Sequence, residues 1–552
     1  MTKNPGRMMV GVFLLAIFSL TAWTQTVYEK GTFVSMPSGK HINHSYYGTW
    51  NVYFAAEDGV LVYDHHVGKW LEPITASDGL LQYPALLVYQ DQTTQNVWIV
   101  TPDYVFIYDH NSHWMSKEAL PREPEFSGHY SLGITSGNVI ITSARTEDPQ
   151  NYSAVFNKGT GAFDAWGADS VLAINWQEYE KIDNISQVFG SFPETLPVQN
   201  LSGGNFDSDG NLRLDGYPIR SGTSMSTLSG EAESGELFLG THGMGVFHRE
   251  LRGGDFEQLP YGLLSPDVMC MTFDEDELII GSRAGLTMMN GFDARYDEAL
   301  QAPVYDYSFV SAVDQQKEKL FISGRGGVFK KRAGTGVWER IISKKDLLSE
   351  RIYSLASGND GNLLVATERN AYLYHESGLY LASIFESDLN WPVFDIKYSD
   401  NRYYISTLYG LYVYDELKNK MLARINSHAE VQSPMTSAAV DPVYESVVVD
   451  SILWASTHRG LIQIDLINNQ GKDYLSPGSP FQPRGLDVIG GKVWVGSTSG
   501  LYSFEPQTAA WRHYTQNDGL ISNFVTDLVA KENYIWLGTN LGLTRINWRN
   551  LY

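Results

Sequence analysis

The residues Ile535-Trp-Leu-Gly-Thr-Asn-Leu-Gly-Leu543 decide the fold, because this nine-residue phrase recurs along the chain. Clear copies are Val493-Trp-Val-Gly-Ser-Thr-Ser-Gly-Leu501 and Leu453-Trp-Ala-Ser-Thr-His-Arg-Gly-Leu461, and weaker or altered copies begin at Tyr403, Leu363, Leu320, Leu278, Leu237, Val97 and Val52. From residue 245 onward, the closing glycine or the residue in its place returns after 40 to 50 residues. A period of about 42 residues with four strand-like runs in each unit is typical of β-propeller blades.

The residue types within one unit support this interpretation. The small residue after the Trp is expected where neighbouring blades crowd together, and the closing glycine supplies a turn with positive φ. Alternating apolar residues follow, as in Leu411-Tyr-Val-Tyr-Asp415, and then a strand with an aromatic residue, as in Trp511-Arg-His-Tyr514. No long amphipathic helical pattern interrupts the series, so the sequence predicts an all-β chain.

The chain has 552 residues, which is too long for one hydrophobic core. The repeats predict about twelve four-stranded blades, two of them in the stretch between residues 104 and 245, where the pattern is weak. Since propellers usually have four to eight blades, the count favours two propellers over one ring. The expected division is residues 26–235 for a first, degenerate group and 236–552 for a second, clear group.

The two ends of the chain complement each other. The sequence stops at Leu543-Thr-Arg-Ile-Asn-Trp548, a third strand with no fourth strand after it, whereas Gly31-Thr-Phe-Val-Ser-Met36 resembles a fourth strand with no blade before it. The N-terminal strand is therefore predicted to close the last blade and cover its exposed edge. In that case one propeller is discontinuous in sequence.

The first residues have the pattern of a secretory signal peptide. Lys3 and Arg7 precede an apolar run from Met8 to Ala22, which is short for a membrane span. Cleavage near residue 25 is expected, with an uncleaved anchor as the alternative. No later segment is apolar enough to cross a bilayer. The protein is therefore expected to be exported to the periplasm or the cell surface.

Charge and cysteine content exclude several classes of function. The net charge of −23 disfavours binding to nucleic acid or to anionic lipid. The single cysteine, Cys270, excludes an internal disulfide framework, a cysteine-rich zinc site and an iron–sulfur cluster. No cofactor is expected.

Basic residues collect at the turn before the closing glycine, on the face where propellers usually bind ligands. The candidate ligand-binding residues are His242, Arg283, Arg325, Arg369, Tyr409, His458 and Arg459. If the arginines converge, they form a site for carboxylate or sulfate groups, which guanidinium groups bind in a bidentate manner. The alternative is that they stack on aromatic rings or pair with carboxylates such as Glu368.

Metal and enzyme signatures are weak. His65, His66, His110 and His113 lie in equivalent turns of successive blades, but on the face opposite the usual ligand site, so no metal site is predicted. Asn359-Asp-Gly-Asn-Leu363 is faintly similar to the Asp-box of sialidase propellers, but it lacks the Trp. No nucleophile elbow, P-loop or His-Glu-x-x-His is present, and no catalytic residue is assigned.

The repeats resemble those of the two-component regulator propeller family. Asn517-Asp-Gly-Leu-Ile-Ser-Asn-Phe-Val525 followed by Ile535 to Leu543 is a close match, and the resemblance extends from about residue 236 to the end. It implies a propeller of the type found in periplasmic sensor kinases, which recognise glycan fragments, and in free-standing exported propellers of Bacteroidetes-like bacteria. The sequence carries no β-sandwich, membrane helix or kinase after the repeats, so signalling by this chain alone is not expected.

These observations favour a non-enzymatic exported propeller that binds a glycan or a protein partner. A lyase or hydrolase acting on an anionic glycan is the second hypothesis, and an accessory subunit of a secretion apparatus is the third.

Overall fold

The computed structural model describes residues 31–120, 129–134, 137–144, 152–167, 180–183, 204–206, 212–214, 224–231, 236–250, 256–291, 300–302, 310–316, 319–331, 338–347, 351–385, 391–434, 439–478 and 481–551. The signal peptide expected at residues 1–25 lies outside them. Within the described ranges, no helix is both long and apolar enough to cross a membrane.

The described residues form twelve antiparallel sheets, which we number in chain order. The sheet that contains the N-terminal strand Phe33–Pro37 is numbered last, because its other three strands are the last in the chain, and its first strand is taken as Val525–Lys531. Sheet 1 contains Ile42–Tyr47, Asn51–Ala56, Gly59–Asp64 and Lys69–Trp70; sheet 2 contains Leu87–Gln90, Asn96–Val100, Tyr104–Asp109 and Trp114–Ala119. Sheet 3 contains His129–Ile134, Asn138–Ala144, Tyr152–Asn157, Phe163–Gly167 and Glu180–Asp183; sheet 4 contains Gly204–Phe206 and Leu212–Leu214; sheet 5 contains Ser224–Glu231, Glu236–His242, Gly245–Arg249 and Glu257–Leu259.

Seven sheets follow along the chain. Sheet 6 contains Val268–Asp274, Glu277–Ser282, Leu286–Asn290 and Leu300–Ala302; sheet 7 contains Val313–Gln316, Lys319–Gly324, Gly327–Lys331 and Trp338–Ser343; sheet 8 contains Ile352–Ser357, Asn362–Thr367, Ala371–His375 and Tyr380–Ser383. Sheet 9 contains Val393–Ser399, Arg402–Thr407, Gly410–Asp415, Lys420–Ile425 and Val431–Gln432; sheet 10 contains Val443–Val449, Ile452–Thr457, Gly460–Asp465 and Gln470–Leu475. Sheet 11 contains Pro483–Ile489, Lys492–Ser497, Gly500–Glu505 and Ala510–Tyr514; sheet 12 contains Val525–Lys531, Tyr534–Thr539, Gly542–Asn547 and Phe33–Pro37.

Most sheets are four consecutive strands paired in chain order, which confirms the predicted all-β, propeller-type repeat. Sheets 3 and 9 carry a fifth strand. Short 3-10 helices occupy Ala76–Asp78, Asn359–Gly361, Gln516–Asp518 and Trp548–Leu551. The expected domain boundary at residue 235 lies between the first two strands of sheet 5.

The N-terminal strand pairs where the sequence predicts. Phe33–Pro37 lies antiparallel to Gly542–Asn547, with Phe33 opposite Ile546 and Met36 opposite Leu543. Met36 is buried in the same apolar cluster as Trp536. The backbone edge of sheet 12 is therefore paired with a strand that comes from the other end of the chain.

The first strands of sheets 6 to 12 contact one another in chain order. The first strand of sheet 12 also contacts the first strand of sheet 6, where Met271 N donates a hydrogen bond to Asp527 Oδ2 at 2.5 Å. Earlier in the chain, the first strand of sheet 1 contacts those of sheets 2 and 5.

In sheets 11 and 12 a glycine stands two residues after the central Trp, because the neighbouring sheet leaves no room for a side chain. A Cβ on Gly538 would lie 2.4 Å from Val268 Cγ1, and one on Gly496 would lie 2.5 Å from Val525 Cγ1. The crowding atom belongs to the first strand of a neighbouring sheet, which is sheet 6 for Gly538 and sheet 12 for Gly496. The expected role of the small residue is thus confirmed at these positions, and Trp494 and Trp536 beside them are fully buried.

Candidate functional site

A repeated turn builds one rim of the sheets. At the end of the second strand, a Ser or Thr hydroxyl donates a hydrogen bond to the carbonyl of the residue that opens the third strand. The pairs are Thr241–Gly245, Ser282–Gly285, Thr367–Asn370, Thr407–Gly410, Thr457–Gly460, Ser497–Gly500 and Thr539–Gly542, with O···O distances of 2.8 to 3.2 Å. Because the hydroxyl fixes the turn, the residues inside it are held at the rim.

Basic side chains from three neighbouring sheets line a cavity of about 570 Å³ at this rim, which we call the basic pocket. Its lining residues are Met269, Arg283, Ser311, Gly324, Arg325, Gly327, Lys344, Arg351, Ile352 and Glu368. Arg283 and Arg325 come from the rim turns of sheets 6 and 7, and Lys344 and Arg351 come from the connection between sheets 7 and 8. Four basic residues and one acidic residue therefore surround one opening in a protein of net charge −23.

Two contacts orient the arginines of the basic pocket. Arg283 Nε lies 3.1 Å from Asp267 Oδ2, although the Arg283 side chain is still 60% exposed. The Arg351 guanidinium lies over the ring of Tyr353, 5.2 Å from its centroid. Both arginines keep N–H groups that reach solvent, so the pocket has the geometry to receive an anionic group.

Arg369 and Tyr409 do not line the basic pocket. Arg369 is exposed in the rim turn of sheet 8, next to Glu368, which does line it. Tyr409 packs edge-on against Trp391 with ring centroids 5.0 Å apart, and its carbonyl accepts a hydrogen bond from Arg424 Nε at 2.6 Å. Tyr409 is thus part of an aromatic contact within the rim.

His458 and Arg459 lie two sheets further along and have acidic neighbours. His458 Nδ1 is 4.0 Å from Asp441 Oδ1. Arg459 Nη2 is 3.9 Å from Asp473 Oδ2, and Arg459 Nη1 is 3.2 Å from His428 Nε2. Arg459, like Arg283 beside Asp267, is thus a guanidinium beside a carboxylate, the alternative that the sequence left open.

His242 lies apart from all these residues, in sheet 5. Its ring centroid is 6.5 Å from that of His41, and its Nε2 is buried without a hydrogen-bond partner within the described structure. Burial, with His41 as a further cause, lowers the pKa of His242. The structure therefore joins Arg283 and Arg325 in one pocket and separates the other five candidates from it.

Lys344 and Arg351 are not among the sequence candidates, which all lie in the turns before the closing glycine. The connection between the fourth strand of one sheet and the first strand of the next lies at the same rim. The run Lys344-Lys345 and the residue Arg351 in that connection were a readable signal.

The early histidines join sheets. His65 Nδ1 and His248 Nε2 lie 3.2 Å from the two carboxylate oxygens of Glu236, which links sheet 1 to sheet 5. Across the described ranges, no group of three His, Cys, Asp or Glu side chains has an arrangement suited to a metal ion.

A second charged set lies deeper, on the first strands of the sheets, and we call it the inner-strand cluster. Its members are Asp314, Asp395, Lys397, Glu445, Asp487 and Asp527. Each carboxylate accepts a hydrogen bond from a neighbouring sheet. The pairs are Ser357 N to Asp314 (2.8 Å), Ser354 Oγ to Asp395 (3.0 Å), Gly485 N to Glu445 (2.5 Å), Ala530 N to Asp487 (2.8 Å) and Met271 N to Asp527 (2.5 Å). The Lys397 ammonium is 3.6 Å from Asp395 Oδ1, and its side chain is 48% exposed.

The protonation of the inner-strand cluster is shifted. Desolvation raises the pKa of Glu445 to about 8, and Asp395 and Asp527 add to the shift. Desolvation also raises the pKa of Asp527 to about 6 and that of Asp314 to about 6, although backbone donors and Lys397 oppose it. Asp395 raises the pKa of Lys397, which stays charged.

Comparison with known proteins identifies the fold. No protein-family model matches the sequence, and no curated protein matches it in sequence. Among solved structures, the extracellular domains of two putative Bacteroides thetaiotaomicron systems are similar: the one-component system BT4673 (12% identity, 91% of this chain and 75% of that chain, TM-score 0.42) and the hybrid two-component system BT3049 (15%, 92% and 68%, 0.41).

PorZ, described as an essential bacterial surface component of the type-IX secretion system of Porphyromonas gingivalis, superposes better. It is 12% identical, the match covers 94% of this chain and 87% of that chain, and the TM-score is 0.63. The match to PorZ extends over nearly the whole of this chain. The chain thus has a β-propeller fold that is similar to the fold of PorZ.

Proposed function

We propose that this chain is an exported, non-enzymatic propeller protein that binds an anionic group of a glycan or protein partner at the basic pocket. The observation that carries this proposal is the convergence of Arg283, Arg325, Lys344 and Arg351 on one cavity. Neighbouring cations repel one another, and Asp267 and Glu368 balance only part of these four positive charges, so an anionic ligand would stabilise the arrangement.

The proposed architecture is two propellers. The contacts of first strands from sheet 6 round to sheet 12 and back to sheet 6 support a closed ring of seven blades. Sheets 1 to 5 then form a second propeller, inserted between the strand Phe33–Pro37 and sheet 6. This division places the boundary after Leu259, later in the chain than residue 235, and makes the seven-bladed propeller discontinuous.

Export is part of the proposal. The basic and then apolar pattern of residues 1–25 supports it, and so do the neighbours in fold, which are a surface component and extracellular domains. Fractionation of the native host, with detection in the periplasm or at the surface, tests it directly; retention in the cytoplasm contradicts it.

Binding is tested with tetragalacturonate, an acidic oligosaccharide, against its neutral methyl ester, by calorimetry at low and high salt. The acidic form should bind more tightly, and Arg325→Ala should weaken it by about 1–3 kcal/mol, as expected for loss of a charge-assisted hydrogen bond. Arg369→Ala, one exposed residue outside the pocket, is the matched control. Equal binding of the acid and its methyl ester contradicts the proposal, and so do equal effects of the Arg325→Ala and Arg369→Ala variants. Cleavage of the oligosaccharide contradicts the non-enzymatic part of the proposal.

A second candidate is an accessory subunit of a secretion apparatus, favoured by the fold similarity to PorZ at a TM-score of 0.63. A tagged full-length chain should then co-purify with specific membrane proteins from detergent extracts of its host. Elution of the chain alone under gentle extraction speaks against this role.

A further inference from the structure

Each first strand of sheet 6 and of sheets 8 to 12 begins with a β-bulge. The pairing register shifts at Val268/Cys270, Ile352/Ser354, Val393/Asp395, Val443/Glu445, Pro483/Leu486 and Val525/Asp527. Each shift contains one residue, except that of sheet 11, which contains Arg484 and Gly485. The side chains inside the shifts are those of Met269, Tyr353, Phe394, Tyr444, Arg484 and Thr526, and we call these six residues the bulge row. A bulge leaves its extra residue out of the ladder and re-aims its side chain.

The bulge row lies at the same rim as the basic pocket. The residue before each bulge pairs with the Ser or Thr that opens the rim turn, as Ile352 pairs with Thr367 and Val443 with Thr457. Met269 of the row lines the basic pocket, and so does Ile352, the residue before the bulge of sheet 8. The row therefore extends that pocket across sheets 8 to 12.

Aromatic and arginine side chains contact one another along this row. Phe394 stacks on Tyr444 of the next sheet with ring centroids 5.6 Å apart. Burial raises the pKa of Tyr444 and the positive charge of Arg484 opposes that shift; the Arg484 guanidinium lies 5.8 Å from the ring centroid of Phe524. Arg484 is exposed, and Phe524 is 40% exposed, so this surface reaches solvent.

The ring faces are already partly covered, which argues against stacking of sugar rings. A guanidinium covers one face of Tyr353 and one of Phe524, and Phe394 and Tyr444 cover each other. What remains for a partner is the edges and second faces of these rings, together with arginine N–H groups held by aromatic neighbours. Tyrosine and arginine side chains of this kind dominate the binding energy of protein–protein interfaces.

We propose that the bulge row, together with the basic pocket, docks an acidic segment of a partner protein. The proposal rests on the proposed function and narrows its partner to a polypeptide. Carboxylates of the segment pair with Arg351 and Arg484, and its apolar atoms cover the edges of Tyr353 and Tyr444. Charge complementarity sets the register along sheets 8 to 11.

The test uses the full chain and a fluorescein-labelled peptide of alternating glutamate and leucine, followed by fluorescence anisotropy. Arg484→Ala and Tyr444→Ala should each weaken binding about tenfold, although only the first removes a charge. Arg549→Ala is the matched control, because Arg549 also covers an aromatic ring, that of Trp548, but stands near Glu532 at the opposite end of sheet 12. A peptide with glutamine in place of glutamate should not bind.

Three further outcomes of these binding experiments would overturn the proposed docking row. Loss with Arg484→Ala but not with Tyr444→Ala overturns the docking row and leaves unspecific charge attraction. Loss of tetragalacturonate binding with Arg325→Ala, combined with no effect of either row variant on the peptide, overturns the row and leaves the proposed function standing. If tetragalacturonate binds, the peptide does not, and the row variants weaken that binding, the partner is a glycan and the inference is wrong.

Discussion

The rim and the inner-strand cluster are neighbouring residues of the same strands with opposite chemistry. Phe394 and Tyr444 belong to the bulge row at the rim, whereas Asp395 and Glu445, the next residues, accept hydrogen bonds from the adjoining sheet. Thr526 and Asp527 repeat the arrangement in sheet 12. The bulge thus separates two tasks within two residues: one side chain is offered to a partner and the next holds neighbouring sheets together.

This comparison predicts which substitutions change the affinity for a partner and which change the stability of the fold. Substitutions of the side chains of the basic pocket and the bulge row should change affinity and leave the free energy of unfolding nearly constant, because these side chains have few core contacts. Substitutions in the inner-strand cluster, or at the strand that covers sheet 12, should change stability and leave the affinity of the folded protein intact.

The largest effect is expected from deletion of residues 31–36. It removes the partner of Gly542–Asn547 and the apolar cover supplied by Phe33 and Met36, which are 6% and 2% exposed. The free energy of unfolding should fall by about 3–5 kcal/mol, from lost apolar burial and unpaired backbone groups. Thermal unfolding measures it, with the half-buried Val34→Thr as the control. An unchanged melting temperature would show that this strand does not stabilise sheet 12.

Asp527→Ala should cost about 1–3 kcal/mol, because Met271 N and Leu528 N then lose their acceptor. Asp527→Asn keeps an oxygen acceptor and should cost less. Urea unfolding of the two variants measures the difference, and tetragalacturonate affinity should match that of the wild type in both. If the Ala and Asn variants are equally stable, the hydrogen bond between sheets 12 and 6 has no energetic role.

The third prediction is a pH dependence that passes through Glu445. Its pKa in the fold, about 8, lies above its usual value of 4.5, so its contribution to stability is complete below about pH 4.5 and is lost as the pH rises through 8. Near pH 7 the folded protein holds about one extra proton, which corresponds to a loss of up to about 1.4 kcal/mol per pH unit. Lys397 stays charged throughout this window.

Glu445→Gln should flatten the fall in melting temperature between mildly acidic and mildly alkaline buffer, and it should remove the proton released on unfolding. The control Glu277→Gln changes an exposed carboxylate in sheet 6 and should keep both the fall in melting temperature and the release of a proton on unfolding. Equal proton release from the two variants would mean that Glu445 titrates as it does in the unfolded chain.

The repeats predicted the strands, the small residue beside the next sheet and the pairing of Phe33–Pro37, because each leaves a local pattern. The inner-strand cluster could not be predicted in this way. Asp527 accepts from Met271, 256 residues away in sequence, and a bulge between Val525 and Asp527 breaks the period of two on which strand patterns depend. The basic pocket was half predicted, since Arg283 and Arg325 follow the turn spacing but Lys344 and Arg351 do not.

The smallest effect concerns the hydroxyl that shapes the rim turn. Thr457 Oγ1 donates to Gly460 O at 3.2 Å and accepts from Arg459 N at 3.1 Å, and Thr457 is 1% exposed. Thr457→Val preserves the shape but removes these two hydrogen bonds and a third, which Oγ1 accepts from Gly460 N at 3.2 Å, so the free energy of unfolding should fall by about 1 kcal/mol. Thr508→Val, in an exposed turn at the opposite end of sheet 11, should change it by less than half of that. Because Arg459 is held by this turn, the variant should also loosen its approach to Asp473, which a weaker salt dependence of stability would report. Equal stability of the two variants would mean that the strands alone fix the conformation of the rim turn. The hydroxyl of Thr457 would then have no structural role comparable to that of the carboxylates in the inner-strand cluster.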